Sequence, residues 1–450
     1  YIHILMPSNK VVYVCENCGY ESPKWLGHCP SCGAWNSFRE LKLNRVAPRA
    51  KKTGKSYKLH EVPTQRHVRV ASGIGELDRV LGGGFVCGSL ILLGGEPGIG
   101  KSTLLLEVAS RMCGVGEKVL YVSGEESLAQ IKLRADRLNV SSNIYLMSET
   151  DIEAIESEIK EIAPSFLIID SIQAVYDPGL DALPGSISQV RTCADRFTKL
   201  AKEKNITTIL VGHVTKEGVI AGPRTLEHMV DVVLYLEGDR NYQYRIIRGV
   251  KNRYGSTNEI GVFEMTEHGL TEVRDPSMLF IQDGGKTGSP GSAVTCVLEG
   301  TRPLLVEIQS LITAATYSTP QRVGTGLDYK RLVMLLAVIE RYLGYNLSRY
   351  DVFVNVVGGL RITENATDLG VVASIASAAT GHPLPMGMLF IGEVGLLGEI
   401  RPVFQLKKRI EEATRLGFKR CAIPKGQKGV TSTMELVELD HIDKLKRWLT

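Results

Sequence analysis

The 450-residue chain has no run of eighteen or more apolar residues, which excludes a membrane-spanning helix. No basic region followed by a long apolar core opens Tyr1 to Lys10, so no secretory leader is expected there. Charge of one sign is hardly in surplus. Lys and Arg number 53 against 49 Asp and Glu, and the resulting +4 is too little for composition to argue for nucleic acid; only a local basic surface could. A disulfide framework is missing too. Of nine cysteines, Cys87, Cys113, Cys193, Cys296 and Cys421 stand singly, and the other four fall between Cys15 and Cys32. That usage suits a reducing compartment, the cytoplasm, and one metal site. What is present is globular, with 44% hydrophobic and 23% charged residues, and long enough for two or three domains.

One stretch organises the rest: Gly95, Glu96, Pro97, Gly98, Ile99, Gly100, Lys101, Ser102 and Thr103. It follows the apolar run Leu90 to Leu93, read as a buried strand, and precedes Leu104 to Val108, read as a helix start. Strand, glycine loop and helix form the context in which G-x-x-x-x-G-K-[ST] cradles phosphates. The three glycines permit backbone angles and close approach that a Cβ would block. Loop N–H groups and the helix N-terminus then face the anion. Lys101 would reach the β- and γ-phosphates of ATP, and the Ser102 hydroxyl would bind Mg²⁺.

Cys15-x-x-Cys18 and Cys29-x-x-Cys32 are two C-x-x-C turns with ten residues between them. Each aims two sulfurs at one point, giving a closed tetrahedral shell for Zn²⁺ with no open position for catalysis. So short a segment takes its folding energy from the metal. His28 is the weaker ligand candidate, and an iron–sulfur cluster is the lesser alternative. From Glu40 to Lys58 hydrophobic periodicity is lost and Arg45, Arg49, Lys51, Lys52, Lys55 and Lys58 accumulate, which reads as a flexible linker whose charge could also follow a phosphate backbone.

The next domain runs from residue 61 to 275. Strand-like runs at Lys118–Ser123, Phe166–Asp170 and Thr207–His213 alternate with helical stretches near Leu128–Leu138, Ile152–Ile162 and Val190–Glu203. The expected fold is α/β, a parallel sheet covered on both faces, with ligands at the carboxyl ends of the strands. Polar residues stand at those ends. Asp170 is placed for Mg²⁺, and Glu125 and Glu126 for polarising the attacking water; spacing does not choose between them. His213 is either a γ-phosphate sensor or a core histidine. Residues 215–224, with Lys216 and Arg224, and residues 177–188 are candidate DNA loops, or ordinary surface loops.

Ala71 to Thr103, the turn Ser123 to Ser127 and the strand ending at Asp170 resemble the RecA/DnaB-type motor ATPases. Lys251-Asn252-Arg253-Tyr254-Gly255 closely resembles the K-N-R-F-G signature of the bacterial RadA (Sms) family of DNA repair proteins, with Tyr254 in place of the usual phenylalanine. The resemblance implies a hexameric ring in which Lys251 and Arg253 reach the neighbour's γ-phosphate, stabilising charge as an arginine finger does. On an extended segment, cations at i and i+2 point to the same side. It also implies a DNA-dependent ATPase and helicase that drives branch migration of strand-exchange products made by the RecA recombinase, on single-stranded and branched DNA, with the ribbon contacting a partner such as RecA.

Residues 276–450 mix strands at Ser292–Leu298, Leu304–Leu311, Asp351–Val357 and Met388–Ile391 with helices at Lys330–Tyr342, Thr367–Thr380 and Leu406–Leu416, an α+β order. The run Gly392 to Val403 resembles the proteolytic domain of Lon. Asp368 stands where the Lon nucleophilic serine would be, and Lys407 where its lysine would be. A carboxylate cannot replace an alkoxide in a Ser–Lys mechanism, so a non-proteolytic scaffold is expected. The competing readings are an ATP-dependent protease and a signalling ATPase of the circadian-clock type.

Overall fold

The computed structural model describes residues 11–15, 20–42, 58, 68–140, 143–213, 226–238, 244–273, 275–281, 288–315, 319–427, 429 and 432–449. Cys18, most of the basic linker, Lys216 and Arg224 lie outside the described residues. The chain divides into two compact units, Tyr1–Glu272 and Val273–Thr450.

The first unit begins with an antiparallel three-stranded ribbon: β1 (Val11–Cys15), β2 (Glu21–Ser22) and β3 (Phe38–Lys42), in the order β2-β1-β3. Its small core is Cys15, Cys29 and Phe38, with Tyr13 and Leu26 packed against it. Further on, β4 (Arg69–Val70) and β5 (Phe85–Val86) pair across the helix α1 (Gly75–Leu81).

A nine-stranded sheet follows. In chain order its elements are β6 (Leu90–Gly95), α2 (Lys101–Gly114), β7 (Val119–Ser123), α3 (Leu128–Arg137), β8 (Tyr145–Ser148), α4 (Ile152–Ile162), β9 (Phe166–Asp170), α5 (Ile187–Lys204), β10 (Thr207–His213), β11 (Val232–Glu237), β12 (Tyr244–Asn252), β13 (Ile260–Thr266) and β14 (Gly269–Glu272). The strand order is β14-β13-β12-β11-β6-β10-β9-β7-β8.

The central strands are unbroken apolar runs because both faces are covered. Ile91, Leu93, Tyr121 and Ile168 enter one core, while Leu90, Leu92, Leu120, Leu167 and Ile169 enter the other. Helix boundaries follow local chemistry. Ser127 and Gln130 form a capping box at α3, Asp151 caps α4, and Ser186 caps α5. In α4 the buried residues Ile152, Ile155, Ile159 and Ile162 fall at helical spacing.

The sheet departs from the all-parallel expectation. Strands β6 to β11 are parallel, but β12, β13 and β14 extend the sheet antiparallel. The connections there are too short for a helical crossover, so the chain can only fold back on its neighbour.

The second unit holds β15 (Ser292–Glu299), β16 (Arg302–Ala314), β17 (Arg322–Thr325), α6 (Tyr329–Leu343), β18 (Tyr350–Val356), α7 (Asp368–Thr380), β19 (Met388–Phe390), β20 (Glu393–Val394), β21 (Ile400–Arg401), α8 (Leu406–Arg415), β22 (Arg420–Pro424) and β23 (Glu435–Leu439). Its mixed seven-stranded sheet runs β17-β18-β16-β15-β19-β22-β23, and the unit is α+β. Helix α7 is buried on all sides from Asp368 to Ser377, which explains its small residues: a Cβ on Gly370 would sit 2.8 Å from Thr295. Among the described residues no helix is long and apolar enough to cross a membrane.

Candidate nucleotide site and metal centre

The phosphate loop forms as its glycines demand. Gly95, Gly98 and Gly100 have φ of 157°, 77° and 114°. A Cβ on Gly95 would also meet the Leu236 carbonyl at 2.6 Å. Ile99 is buried beneath the loop, and Gly100 opens α2, whose first turn carries Lys101, Ser102 and Thr103. Lys101 is 4% exposed, and its Nζ donates to the carbonyls of Gly95 (2.8 Å) and Glu96 (2.9 Å). The ammonium is thus folded back into the loop, its N–H groups donated to main-chain carbonyls. Burial lowers its pKa to about 8, with Asp170 and Glu125 partly opposing.

Strand register brings the polar residues level with that loop. His213 pairs with Gly95, and Ser123 with Asp170, so β6 and β10 end together and β7 and β9 end together two residues short of them. Asp170 is buried and accepts a 2.5 Å bond from the Tyr121 hydroxyl. The Glu125 carboxylate accepts from Ser171 Oγ at 2.5 Å and lies 3.1 Å from His213 Nε2. The His213 bond, chiefly, holds Glu125 down at about pKa 2; burial opposes, while Ser171 and Lys101 add to the lowering. Its neighbour Glu126 turns away into an ion pair with Arg134, and the Glu126 N–H donates to Ser123 Oγ at 3.0 Å. The arrangement therefore separates two glutamates that spacing could not. Sequence reasoning missed Tyr121 and Ser171. The Ser171 signal was available, since it directly follows Asp170.

Lys251 and Arg253 are elsewhere. Lys251 lies on β12 opposite Val233, and the Arg253 N–H donates to the Asp231 carbonyl at 3.0 Å. The Asp231 N–H in turn donates to the carbonyl of Leu90, the first residue of β6. The phosphate loop leaves the other end of β6, five residues on, about 17 Å away at strand rise. Arg253 stands in the turn after β12, so the two cations do not share one extended segment as their spacing suggested. Lys251 Nζ donates to the Glu227 carbonyl at 2.6 Å, and Arg253 pairs with Asp231 at 3.3 Å.

In the ribbon the sulfurs of Cys15, Cys29 and Cys32 lie within 4.8 Å of one another, and those of Cys15 and Cys32 are 3.7 Å apart. Thiolates around tetrahedral zinc at its usual bond length are separated by about 3.8 Å, so the three fit such a centre. His28 is outside this cluster and packs at a tilt against Trp35, ring centroids 4.9 Å apart. The 177–188 loop is tied at its start by the Asp177–Arg196 ion pair. Its Asp181, Leu183 and Ser186 share a cavity of about 120 Å³ with Val14, Cys15 and Arg39 of the ribbon.

In the second unit Asp368 is buried and takes two guanidinium contacts from Arg331, one at 3.0 Å from Nε. Its carboxylate also accepts the Val394 N–H at 3.1 Å, while Arg331 donates to the Val394 carbonyl at 2.9 Å. Burial nevertheless raises the Asp368 pKa. Lys407 points into solvent beside Glu411, 3.9 Å away. Arg331 had no mark in the sequence, being one more basic residue on an amphipathic helix.

Comparison with known proteins agrees with this architecture. Residues 58–219 match the AAA domain model, and residues 13–40 match a rubredoxin metal binding domain. DNA repair protein RadA of Bacillus subtilis is 50% identical over 429 residues, covering 93% of each chain. The RadA of Halalkalibacterium halodurans is 47% identical over 449 residues, 97% of this chain and 98% of its own. That of Listeria monocytogenes is 48% identical over 423 residues, 93% and 92% of the two chains. A KaiC-like protein of Pyrococcus horikoshii aligns with 46% of this chain and 99% of its own at 22% identity and a TM-score of 0.39. With its phosphate loop, its cysteine ribbon and relatives that match it nearly end to end, this chain belongs to the RadA family of DNA repair proteins.

Proposed function

We propose that the protein is a DNA-dependent ATPase and ring helicase of the cytoplasm that promotes branch migration of RecA-made recombination intermediates. One observation carries the ring: Arg253 is tied through Asp231 to the Leu90 end of β6 while the phosphate loop leaves the Gly95 end, and Lys251, level with Leu92, turns to the Glu227 carbonyl, so both cations stand back from the nucleotide of their own subunit. A neighbour placed head to tail can receive them, and repetition of that contact closes a ring. Six subunits is what the family resemblance implies.

Each residue then has a task. The loop N–H groups of Gly98 to Lys101 hold the phosphates, and Lys101 leaves the Gly95 and Glu96 carbonyls to pair with the β- and γ-oxygens. Ser102 and Asp170 would hold Mg²⁺, which neutralises charge on the triphosphate when bound. Glu125, freed from Ser171 or His213, orients the attacking water and takes its proton. Arg253 and Lys251 approach from the next subunit and stabilise the charge on the transferred phosphoryl group. The thiolates of Cys15, Cys29 and Cys32, with Cys18, would hold Zn²⁺, and the ribbon would meet RecA. Lys216 and Arg224 would contact single-stranded DNA in the channel.

The Asp368–Arg331 pair argues against a Lon-type protease. The nucleophile position holds a buried, paired carboxylate, while Lys407 faces solvent. The deciding experiment is ATP hydrolysis with and without single-stranded DNA, on wild type and Lys101→Ala. Stimulation by DNA that Lys101→Ala abolishes supports the motor. A rate indifferent to DNA, with casein cleavage dependent on Lys407, sinks it.

A further inference from the structure

The Lys251–Arg253 turn is held by a carboxylate that the proposed chemistry does not use. Asp231 is 3% exposed, yet it sits at the foot of a surface turn. Its Oδ2 accepts from the Leu90 N–H at 3.0 Å and from Lys202 Nζ at 2.5 Å, and its Oδ1 meets Arg253 at 3.3 Å. Lys202 Nζ also lies 3.2 Å from the Tyr254 hydroxyl. Main-chain bonds add to this, because Asp231 receives the Arg253 N–H and passes its own to Leu90.

The three bonds to the carboxylate are unequal. The backbone amide and Lys202 take the short ones, and Arg253 takes the long one with a side chain more than half exposed. Lys202 is enough to neutralise Asp231, so Arg253 can leave without stranding a buried charge. Lys251 stands beside it, and the two cations repel, which lowers the Lys251 pKa after burial has done so. The corner thus holds three cations, Lys202, Lys251 and Arg253, against the carboxylates of Asp231 and Glu227, a surplus that an incoming triphosphate would relieve.

We infer that Asp231 and Lys202 are positioning residues for the trans-acting arginine: Asp231 aims Arg253 outward from the sheet, and Lys202 keeps that hold weak enough to be released to the neighbour's nucleotide. The inference rests on the trans-acting reading of Arg253 proposed above. It adds that the finger is anchored to the first residue of the strand whose last residue begins the subunit's own phosphate loop.

The test is co-expression of paired variants with separate tags, isolation of mixed oligomers and measurement of DNA-stimulated ATP turnover. Asp231→Asn alone lowers kcat by about tenfold to a hundredfold, the scale of a 1 Å misplacement, with KM for ATP within about twofold of wild type. Lys202→Met, at a half-exposed site that does not threaten folding, lowers kcat in the same manner, and Lys202→Arg restores it. In mixed oligomers Arg253→Ala with Lys101→Ala recovers turnover, because one seam in the mixture joins an intact loop to an intact finger. Asp231→Asn with Lys101→Ala recovers likewise, whereas Asp231→Asn with Arg253→Ala does not.

Recovery in the Arg253→Ala mixture but none in the Asp231→Asn mixture overturns the positioning role while leaving the trans-acting reading intact. Wild-type kcat in both Asp231→Asn and Lys202→Met overturns it as well. No recovery in the Arg253→Ala mixture overturns the trans-acting reading and this inference with it.

Discussion

Replacing Glu125 by Gln removes one negative charge and keeps the shape of the side chain. In the structure that carboxylate is bonded to Ser171 and His213, on strand ends level with the phosphate loop, whereas Glu126 is occupied by Arg134. Loss of a general base slows turnover by about 10² to 10⁴, a barrier increase of about 3–5 kcal/mol at 1.36 kcal/mol per decade. Glu126→Gln loses only a partly exposed ion pair, worth about 1 kcal/mol of stability or less, and its turnover should stay within about threefold of wild type. The assay is phosphate release under saturating ATP and single-stranded DNA, paired with equilibrium binding of a fluorescent nucleotide. Glu125→Gln should bind nucleotide as wild type does, because the phosphate contacts proposed here are those of the loop and Lys101. Its ionisation also gives a pH signature. The folded pKa, about 2, lies below the ordinary 4.5, so whatever stability this group contributes is complete above about pH 4.5 and is lost as pH falls toward 2. No titration of Glu125 should therefore appear in the rate profile near neutrality. Near-wild-type turnover in Glu125→Gln, together with collapse in Glu126→Gln, would refute the assignment.

Lys101 should impose a limb on the alkaline side. Its ammonium is lost above about pH 8 in the free protein, so nucleotide affinity falls from there upward, and Lys101→Arg flattens the profile if it still binds. The sign for stability is opposite: between about 8 and 10.5 the unfolded chain binds the extra proton, so this group favours folding more as pH rises. Metal analysis should find one zinc per chain, lost in Cys15→Ser or Cys29→Ser together with the ribbon fold, while nucleotide binding persists; unchanged ribbon proteolysis after zinc removal contradicts the metal's structural role. Asp368→Ala leaves the Arg331 guanidinium without its carboxylate and should cost about 3 kcal/mol in denaturant unfolding of the second unit. Asp368→Ser should not create casein cleavage, because Lys407 remains beside Glu411 in solvent; cleavage there would contradict this reading.

The elements legible in the sequence were those whose pattern is set by local chemistry. The apolar strand ahead of Gly95, the Cys29–Cys32 turn and the capped helices α3, α4 and α5 each follow from residues within one or two turns of chain. The antiparallel extension β12 to β14 was not read, because strand direction depends on how short connections fold rather than on any local run. Among the site residues, Lys101 and Asp170 carried their own context. The distinction between Glu125 and Glu126 did not, since it is made by His213 and Ser171 from one side and Arg134 from the other, far apart in sequence. Asp368 was legible as a departure from the Lon pattern, but Arg331, 37 residues away, became visible only as its partner. Long-range pairs of this kind leave no periodicity behind.

Strand β6 is six residues long, with the Leu90 amide on Asp231 at one end and Gly95 opening the phosphate loop at the other. It therefore works as a ruler. In the proposed ring its fixed rise would set how far a subunit's own fuel lies from the hand it offers next door, and so the spacing at which successive seams would fire. Lengthening or shortening that one strand would change the gauge of the whole machine before it touched any chemical group.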